Sequence, residues 1–233
     1  MTSLIATNFI TKNKTTVTFS ELLTSNDASK LLAELNDLLP NKSHKPYLDS
    51  SGNKVFYFND LKLLADEHKA TEALITLFNR LFADQQVQLV RGEHEPEYFP
   101  ADNDNPARIE FAHGFFASAL HEISHWCIAG KARRQLSDFG YWYAADGRNE
   151  AQQRAFERVE IKPQALECLF TLACNRPFQV SQDNLFADFD TSDSSFAYDV
   201  YEQAKTYIAN PQSLPRDAQN LLTALLRLFI GNN

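Results

Sequence analysis

Cysteine is scarce in this chain of 233 residues, and its scarcity excludes the small secreted domains that are held together by disulfides. Cys127, Cys168 and Cys174 are an odd number of cysteines, and none of them belongs to a CxxC pair. Disulfide-stapled domains carry a denser and even set. Because two of the three lie in the apolar run LECLFTLAC, we expect reduced thiols that are buried in the core.

Long apolar runs are also lacking. The run from Leu221 to Ile230 is too short to span a bilayer, and it contains Arg227. The first residues, MTSLIATN, reach polar side chains before any stretch long enough for a signal peptide. These features predict a cytoplasmic protein that has no membrane partner.

Positive charge is in short supply, since 22 Lys and Arg stand against 30 Asp and Glu and the formal net charge is -8. Binding to phosphate backbones needs clustered Lys and Arg, so no nucleic-acid partner is expected. The 44% hydrophobic and 22% charged residues are typical of a folded globular protein. The length suits one large domain, with or without an added arm.

Helical patterns outnumber strand patterns along the chain. Apolar residues recur at helical spacing in several segments, with short β-like pieces between them, and this predicts the α+β class. The predicted helices cover residues 27–39, 60–83, 116–129, 163–174, 196–208 and 217–229. The predicted extended pieces cover residues 15–19, 55–58, 87–90, 108–112 and 139–143. Residues 41–53 are polar and turn-rich, and they form the best candidate for a linker or long loop.

The sequence HEISH at residues 121–125 is an HExxH motif. On a helix, residues four apart share a face, so His121 and His125 can bind one metal ion. Glu122 borders the same face, where it can act as a base or bind a water molecule. The longer metzincin motif is excluded, because Ile128 and Lys131 replace its Gly and His. The alternative is a pair of core histidines that are satisfied by hydrogen bonds.

Two histidines leave room for a third ligand, for which a carboxylate on a later helix is the next option. Glu160 is the preferred candidate and Glu157 the alternative. Gln164 lies four residues after Glu160 and can hydrogen-bond to it from the same helix face. Because Pro163 disfavours helical geometry in the preceding residue, we expect Glu160 in the lead-in to a helix rather than inside it.

Two histidines and one carboxylate are compatible with two kinds of chemistry. With Zn²⁺ and Glu122 as the base, the site is that of a peptidase. With Fe²⁺ and open coordination positions, it is that of an oxygenase. The spacing of the motif does not choose between them.

Several separated motifs follow one another along the chain: EPEYFPAD from Glu95, RIEFAHGFFASALHEISHWCIAGKARR from Arg108, DFGYWY from Asp138, DGR from Asp146, VEIKPQALE from Val159 and DNLF from Asp183. Their sequences and their order resemble the elongation factor P hydroxylase family. The resemblance covers about residues 60 to 210. Residues 1–58 look like an N-terminal extension of unknown role, and residues 59–233 like the catalytic domain.

That family hydroxylates a lysine of translation elongation factor P that already carries a β-lysyl group. The resemblance implies the same protein partner, a non-haem centre with Fe²⁺, for which Zn²⁺ is the alternative, and dioxygen as co-substrate. It further implies a zincin-like, helix-rich core with a small sheet around the HExxH helix. His121 and His125 match the family's metal-binding histidines, and Glu160 is assigned as the carboxylate ligand. The His-x-Asp pattern of common 2-oxoglutarate oxygenases does not occur in the chain.

Three further features suggest roles beside the metal. Glu93, Glu95 and Glu97 precede the motif, and we hypothesise that some of them line a channel and attract the ammonium groups of the substrate. The alternative is a solvated acidic loop. His113 is expected to be a hydrogen-bonding helper rather than a ligand. The aromatic run 141–143 is expected to be core or a wall between elements, with one tyrosine as a candidate for facing the substrate.

Overall fold

The computed structural model describes residues 17–39, 66–141, 147–190 and 194–230. Within these ranges the chain forms six α-helices and one three-stranded sheet, which confirms the helix-rich α+β class. The helices are α1 (Ser25–Leu38), α2 (Glu67–Leu81), α3 (Phe116–Arg133), α4 (Glu150–Ala173), α5 (Phe196–Ala209) and α6 (Arg216–Ile230). The strands are β1 (Val87–Arg91), β2 (Glu97–Phe99) and β3 (Ala107–Phe111). No helix in the described ranges is both long and apolar enough to cross a membrane.

Reciprocal side-chain caps start two of the helices. At the start of α1, the Thr24 side chain accepts a hydrogen bond from the Asp27 backbone, and the Asp27 side chain accepts one from the Thr24 backbone. Asn149 and Gln152 form the same pair of bonds at the start of α4, both at 3.0 Å. These bonds satisfy backbone N–H groups that have no partner inside the helix.

The sheet is small, and its buried face turns toward the HExxH helix. Strand β3 is central, with β1 parallel on one side and β2 antiparallel on the other. Ala107, Ile109 and Phe111 alternate along β3 as its buried residues, which is the period of two that a half-buried strand requires. Strand β3 contacts α3, and β1 contacts α2. The expected sheet beside the HExxH helix is therefore confirmed.

Helix α3 lies among α2, α4, α6 and the sheet. Its Trp126 is 2% exposed and packs edge-on against Phe78 and Phe82, with ring centroids 5.3 and 4.9 Å apart. Edge-to-face aromatic packing of this kind adds to the free energy of burial. The aromatic contacts fix the rotation of α3 and therefore the direction of its other side chains.

The described part of the first 58 residues shares this core. Phe19, Leu31 and Leu35 belong to the same buried cluster as the residues of α3. Helix α1 packs against α6, where Arg216 Nη1 donates a 2.9 Å hydrogen bond to the backbone oxygen of Leu38. The boundary at residue 58 and the turn-rich stretch 41–53 lie outside the described residues, so the division into two parts stays a prediction.

The predicted start of α4 is wrong. The helix begins at Glu150 and runs through Pro163, so Glu160 lies inside it and not in a lead-in. Proline has no backbone N–H and removes one hydrogen bond of the helix. The Asn149–Gln152 cap and the packing of α4 against α3 and α5 outweigh that loss.

The expectation of an extended piece at residues 139–143 is wrong at Phe139 and Gly140, whereas the backbone of Tyr141 is extended as expected. Phe139 belongs to a short 3-10 turn, Ser137–Gly140, and it stacks on Tyr98 with ring centroids 4.1 Å apart. Asp138 Oδ1 accepts a 3.0 Å hydrogen bond from the Tyr98 backbone. Asp138 and Phe139 have φ angles of 46° and 56°, in the left-handed region that aspartate tolerates but that is strained for the bulky phenylalanine. Contacts with β2 impose this turn.

Of the remaining predicted extended pieces, some are confirmed as strands and others are not. Residues 87–90 and 108–112 are confirmed as strands to within one residue. Of residues 15–19, Thr18 is extended, but Phe19 begins a 3-10 turn, Phe19–Glu21, and the described residues 17–19 belong to no strand. Residues 55–58 lie outside the described ranges.

The expectation for the cysteines is confirmed, since all three are free and buried. Burial disfavours the thiolate and raises the pKa of Cys174 to about 12. The thiols are therefore part of the apolar core.

Candidate metal centre

Helices α3 and α4 bring together the three residues that are predicted to bind a metal. His121 and His125 lie one turn apart on α3, and Glu160 faces them from α4. One ligand atom from each residue can be chosen so that all three lie within 4.8 Å of one another. Glu160 is 1% exposed and His125 is 6% exposed, whereas the side chain of His121 is 28% exposed. The site is thus buried on one side and reachable on the other.

The separations between these atoms fit a single ion. The two Nε2 atoms lie 3.1 Å apart. Two nitrogens that bind one ion at about 2.1 Å lie about 3.0 Å apart at a right angle and about 3.4 Å apart at a tetrahedral angle. From Glu160, Oε1 is 3.3 Å from His125 Nε2 and Oε2 is 3.7 Å from His121 Nε2. The three side chains therefore already stand at ligand-to-ligand distances.

Glu160 has a feature that a metal would explain. Its Oε1 atom is buried and accepts no hydrogen bond within the described part of the chain. A buried carboxylate oxygen without a donor is costly. Its 3.3 Å separation from His125 Nε2 provides charge attraction but no aligned hydrogen bond. Imidazole nitrogens together with a carboxylate oxygen are a donor set that suits Zn²⁺ and Fe²⁺.

Glu157, the alternative ligand, points elsewhere. Its Oε1 accepts hydrogen bonds from Gln153 Nε2 at 3.3 Å and from Gln182 Nε2 at 3.1 Å, and its Oε2 accepts one from Ser194 Oγ at 2.7 Å. Both of its oxygens are thus satisfied within the protein. The geometry favours Glu160 over Glu157 as the third ligand.

Electrostatic attraction between the histidines and the nearby carboxylates stabilises the cluster. Burial opposes a charge on His121, but the hydrogen bond to Glu167 and the nearby carboxylates outweigh burial and raise its pKa to about 10. Burial also opposes ionisation of Glu160, but attraction to His125 and His121 outweighs it and lowers the pKa of Glu160 to about 2. The opposite shifts of the two groups show that Glu160 and His121 attract each other across the cluster.

Glu122 lies next to the histidines on α3 and is half-buried. Burial raises the pKa of its carboxyl group, and the positive character of His121 and His125 works in the opposite direction. A carboxyl group with a raised pKa holds its proton closer to neutral pH and can then deliver it. This is the chemistry of a proton donor or relay beside the cluster.

Glu167 is a further participant that sequence reasoning missed. Its Oε2 lies 2.8 Å from His121 Nδ1, on the side of the ring opposite the cluster. The signal is a stripe of Gln and Glu residues spaced alternately four and three apart on α4, which places them on one helix face. The members of this polar stripe are all buried or half-buried: Gln153, Glu157, Glu160, Gln164 and Glu167.

Gln164, in the same polar stripe, supports the site as expected, although its contact with Glu160 is long. Its Nε2 lies 3.5 Å from Glu160 Oε2 and donates a shorter bond, 2.8 Å, to the backbone oxygen of Ser181. The Ser181 backbone N–H returns a 3.0 Å bond to Gln164 Oε1. Gln164 therefore ties the segment at residue 181 to the helix that carries Glu160.

The DGR and DNLF motifs meet beside this segment. Arg148 is 3% exposed and donates hydrogen bonds to the backbone oxygens of Gln182, at 3.3 Å, and of Asp183. Asn184 Nδ2 donates a 3.0 Å bond to the backbone oxygen of Arg148. Arg148 and Asn184 thus hold residues 181–184 against α4, and none of the described residues of these two motifs belongs to the three-residue cluster.

The other predicted residues lie outside the cluster or beside it. His113 is exposed and is not among the clustered residues. Tyr141 is half-buried, and its ring centroid lies 6.4 Å from that of His125. Trp142 and Tyr143 lie outside the described ranges. Glu93, Glu95 and Glu97 are exposed, at and before the start of β2, and their proposed role in a channel stays a prediction.

Comparison with known proteins identifies the family. The family model described as elongation factor P hydroxylase matches residues 77–233, which include both histidines and Glu160. The chain belongs to the elongation factor P hydroxylase family. A relative from Haemophilus influenzae, elongation factor P lysine hydroxylase, is 47% identical over 166 residues. That alignment covers 70% of this chain and 90% of the relative. Members of this hydroxylase family therefore share the part of the chain that builds the HExxH helix and α4.

Proposed function

We propose that this protein hydroxylates the β-lysylated lysine of translation elongation factor P, with iron held by His121, His125 and Glu160. One observation carries the proposal: the half-buried His121 and the buried His125 and Glu160 stand at ligand distances in a member of the hydroxylase family. The catalytic domain is proposed to be residues 59–233.

A ferrous ion at this site would supply the electron-transfer chemistry by which dioxygen oxidises a C–H bond. One oxygen atom of dioxygen enters the C–H bond of the lysine, and the other leaves as water after taking up two protons and two electrons from an external reductant. The protein's own contribution is to hold the metal with three side chains, leave one side reachable and supply protons from Glu122. A zinc peptidase with Glu122 as base is the alternative, and membership of a hydroxylase family disfavours it.

The decisive experiment is mass spectrometry of β-lysylated elongation factor P before and after incubation with the protein, Fe²⁺, a reductant and isotopically labelled dioxygen. We expect the modified lysine to gain one oxygen atom that carries the label. Elongation factor P without the β-lysyl group and an anaerobic incubation serve as controls. Gain of an oxygen atom that lacks the label, and therefore comes from water, would contradict the proposal, as would peptide cleavage without oxygen gain.

The acidic stretch before β2 gives a prediction about the cationic substrate. Replacing Glu93, Glu95 and Glu97 together with Gln should raise KM by about tenfold at low ionic strength, since the exposed carboxylates attract the ammonium groups. The effect should fade at high salt, because exposed charges are screened. Steady-state kinetics at two salt concentrations measure it.

A matched control changes the net charge by the same amount elsewhere. Neutralising Glu21, Asp37 and Asp84, which are exposed and outside the acidic stretch, should leave KM unchanged. Equal kinetics for both triple variants at low salt would show that the stretch is a solvated loop without a role in binding.

A further inference from the structure

The two nitrogens of His121 face different partners. Nε2 faces His125 and Glu160, at 3.1 and 3.7 Å. Nδ1 lies 2.8 Å from Glu167 Oε2. A carboxylate oxygen accepts hydrogen bonds, so this contact favours the tautomer in which Nδ1 carries the ring proton and donates a hydrogen bond to Glu167. This bond leaves the Nε2 lone pair of the neutral ring facing the cluster, which is the tautomer that a metal ligand needs.

Glu167 is not itself placed as a ligand. It follows Glu160 by seven residues, which corresponds to about 10 Å along a helix axis. Its carboxylate meets the far side of the His121 ring and is not a member of the three-residue cluster. Both acids therefore belong to the same helix face but contact opposite sides of His121.

We infer that Glu167 is the positioning residue for His121: it fixes the ring and its tautomer and thereby sets the affinity of the site for metal. This inference rests on the proposed function, since it takes His121 to be a ligand. The Glu167 side chain is 12% exposed, so water competes little for its hydrogen bond with His121 Nδ1. Helix α4 thus supplies both the carboxylate ligand and the group that orients a histidine of α3.

The test is titration of full-length, metal-free protein with Zn²⁺ in competition with a chelator. Glu167→Met removes the acceptor, and we expect the affinity for Zn²⁺ to fall about 10–100-fold. Glu167→Gln keeps a carbonyl acceptor without the charge, so its loss should be smaller than that of Glu167→Met. Glu150→Gln is the control on the same helix, because the Glu150 side chain is 60% exposed. The affinity of this variant for Zn²⁺ should equal that of the wild type.

A second measurement separates positioning from a role in folding alone. In the Zn²⁺-loaded wild type, proton NMR should show the His121 N–H at Nδ1 as a low-field signal protected from exchange. That signal should be lost in Glu167→Met and kept in Glu167→Gln. If Glu167 were needed only for folding, replacing it would lower the thermal stability of the protein. The affinity for Zn²⁺ and the NMR signal of the folded protein would then be unchanged. If Glu167→Met does not fold, the smaller loss in Glu167→Gln still tests the inference.

The outcomes distinguish the inference from the function on which it rests. A wild type that binds one Zn²⁺, together with variants that bind it equally tightly, overturns the role of Glu167 alone. A wild type that binds no Zn²⁺, or binds it equally well after His125→Ala, overturns the metal centre and the role of Glu167 with it.

Discussion

Replacing His125 with alanine will remove the bound metal and lower hydroxylation of elongation factor P by more than about a hundredfold. Changing a partner outside the ligand set already costs about 10–100-fold in affinity or activity, and His125 is proposed to be a ligand itself. Its Nε2 lies 3.1 Å from His121 Nε2 and 3.3 Å from Glu160 Oε1, and within the described ranges no third histidine belongs to the cluster. Metal analysis by mass spectrometry and the hydroxylation assay measure the two effects.

Loss of folding has to be separated from loss of metal. His125→Ala removes one of the two histidines that face the buried carboxylate of Glu160, so we expect it to lower the free energy of unfolding as well. Glu160→Gln is the companion variant, because an amide of the same shape needs no positive partner. It should remain folded, as followed by thermal unfolding, and should also lose metal and activity.

The matched control for histidine loss is His68→Ala, since His68 is exposed on α2 and outside the cluster. It should keep full metal content and activity. If His125→Ala or Glu160→Gln retained one bound iron and hydroxylated at the wild-type rate, the assignment of the metal centre would be wrong.

Replacing Glu122 with glutamine will leave the metal bound and lower kcat by about a hundredfold. General acid–base groups contribute about 10²–10⁴-fold, and an amide cannot give or take the proton that the Glu122 carboxyl group holds. Burial raises the pKa of this carboxyl group and outweighs the opposite effect of the two neighbouring histidines, and a raised pKa suits a proton donor. Single-turnover kinetics of Fe²⁺-loaded protein, with metal content measured on the same samples, report the effect.

Glu122→Asp is the matched variant, because it keeps a titratable carboxyl group on a shorter side chain. It should recover part of the activity that Glu122→Gln loses, at equal metal content. A Glu122→Gln protein with wild-type kcat would contradict a catalytic role and leave Glu122 as a neighbour of the ligands only.

Local patterns were enough to predict most helices and the position of the two histidines. The spacing of four residues fixes that His121 and His125 share a helix face, whatever the rest of the fold does. The third ligand was a choice between Glu157 and Glu160, and the chain alone favoured Glu160 only weakly. The structure distinguishes them because Gln182 and Ser194 donate hydrogen bonds to the carboxylate oxygens of Glu157. Those two partners lie far along the chain, so no local pattern predicts them.

Local patterns failed where tertiary contacts compete with them. Pro163 suggested a helix start, yet α4 begins at Glu150 because a cap and packing on two helices outweigh one missing hydrogen bond. The aromatic run after Asp138 suggested an extended piece, yet Phe139 turns back to stack on Tyr98 of β2. In both places the deciding partners come from other elements.

By itself, the sequence determined the helix-rich class, the low number of cysteines and of positive charges, and an HExxH helix with two histidines on one face. Only the tertiary structure decided which side of each histidine meets which acid. The rotation of α3 in its aromatic core and the polar stripe of α4 bring Glu160 to Nε2 and Glu167 to Nδ1 of His121. Those contacts depend on how two helices pack, and side-chain directions across such a contact are set by the whole core rather than by residues near in sequence.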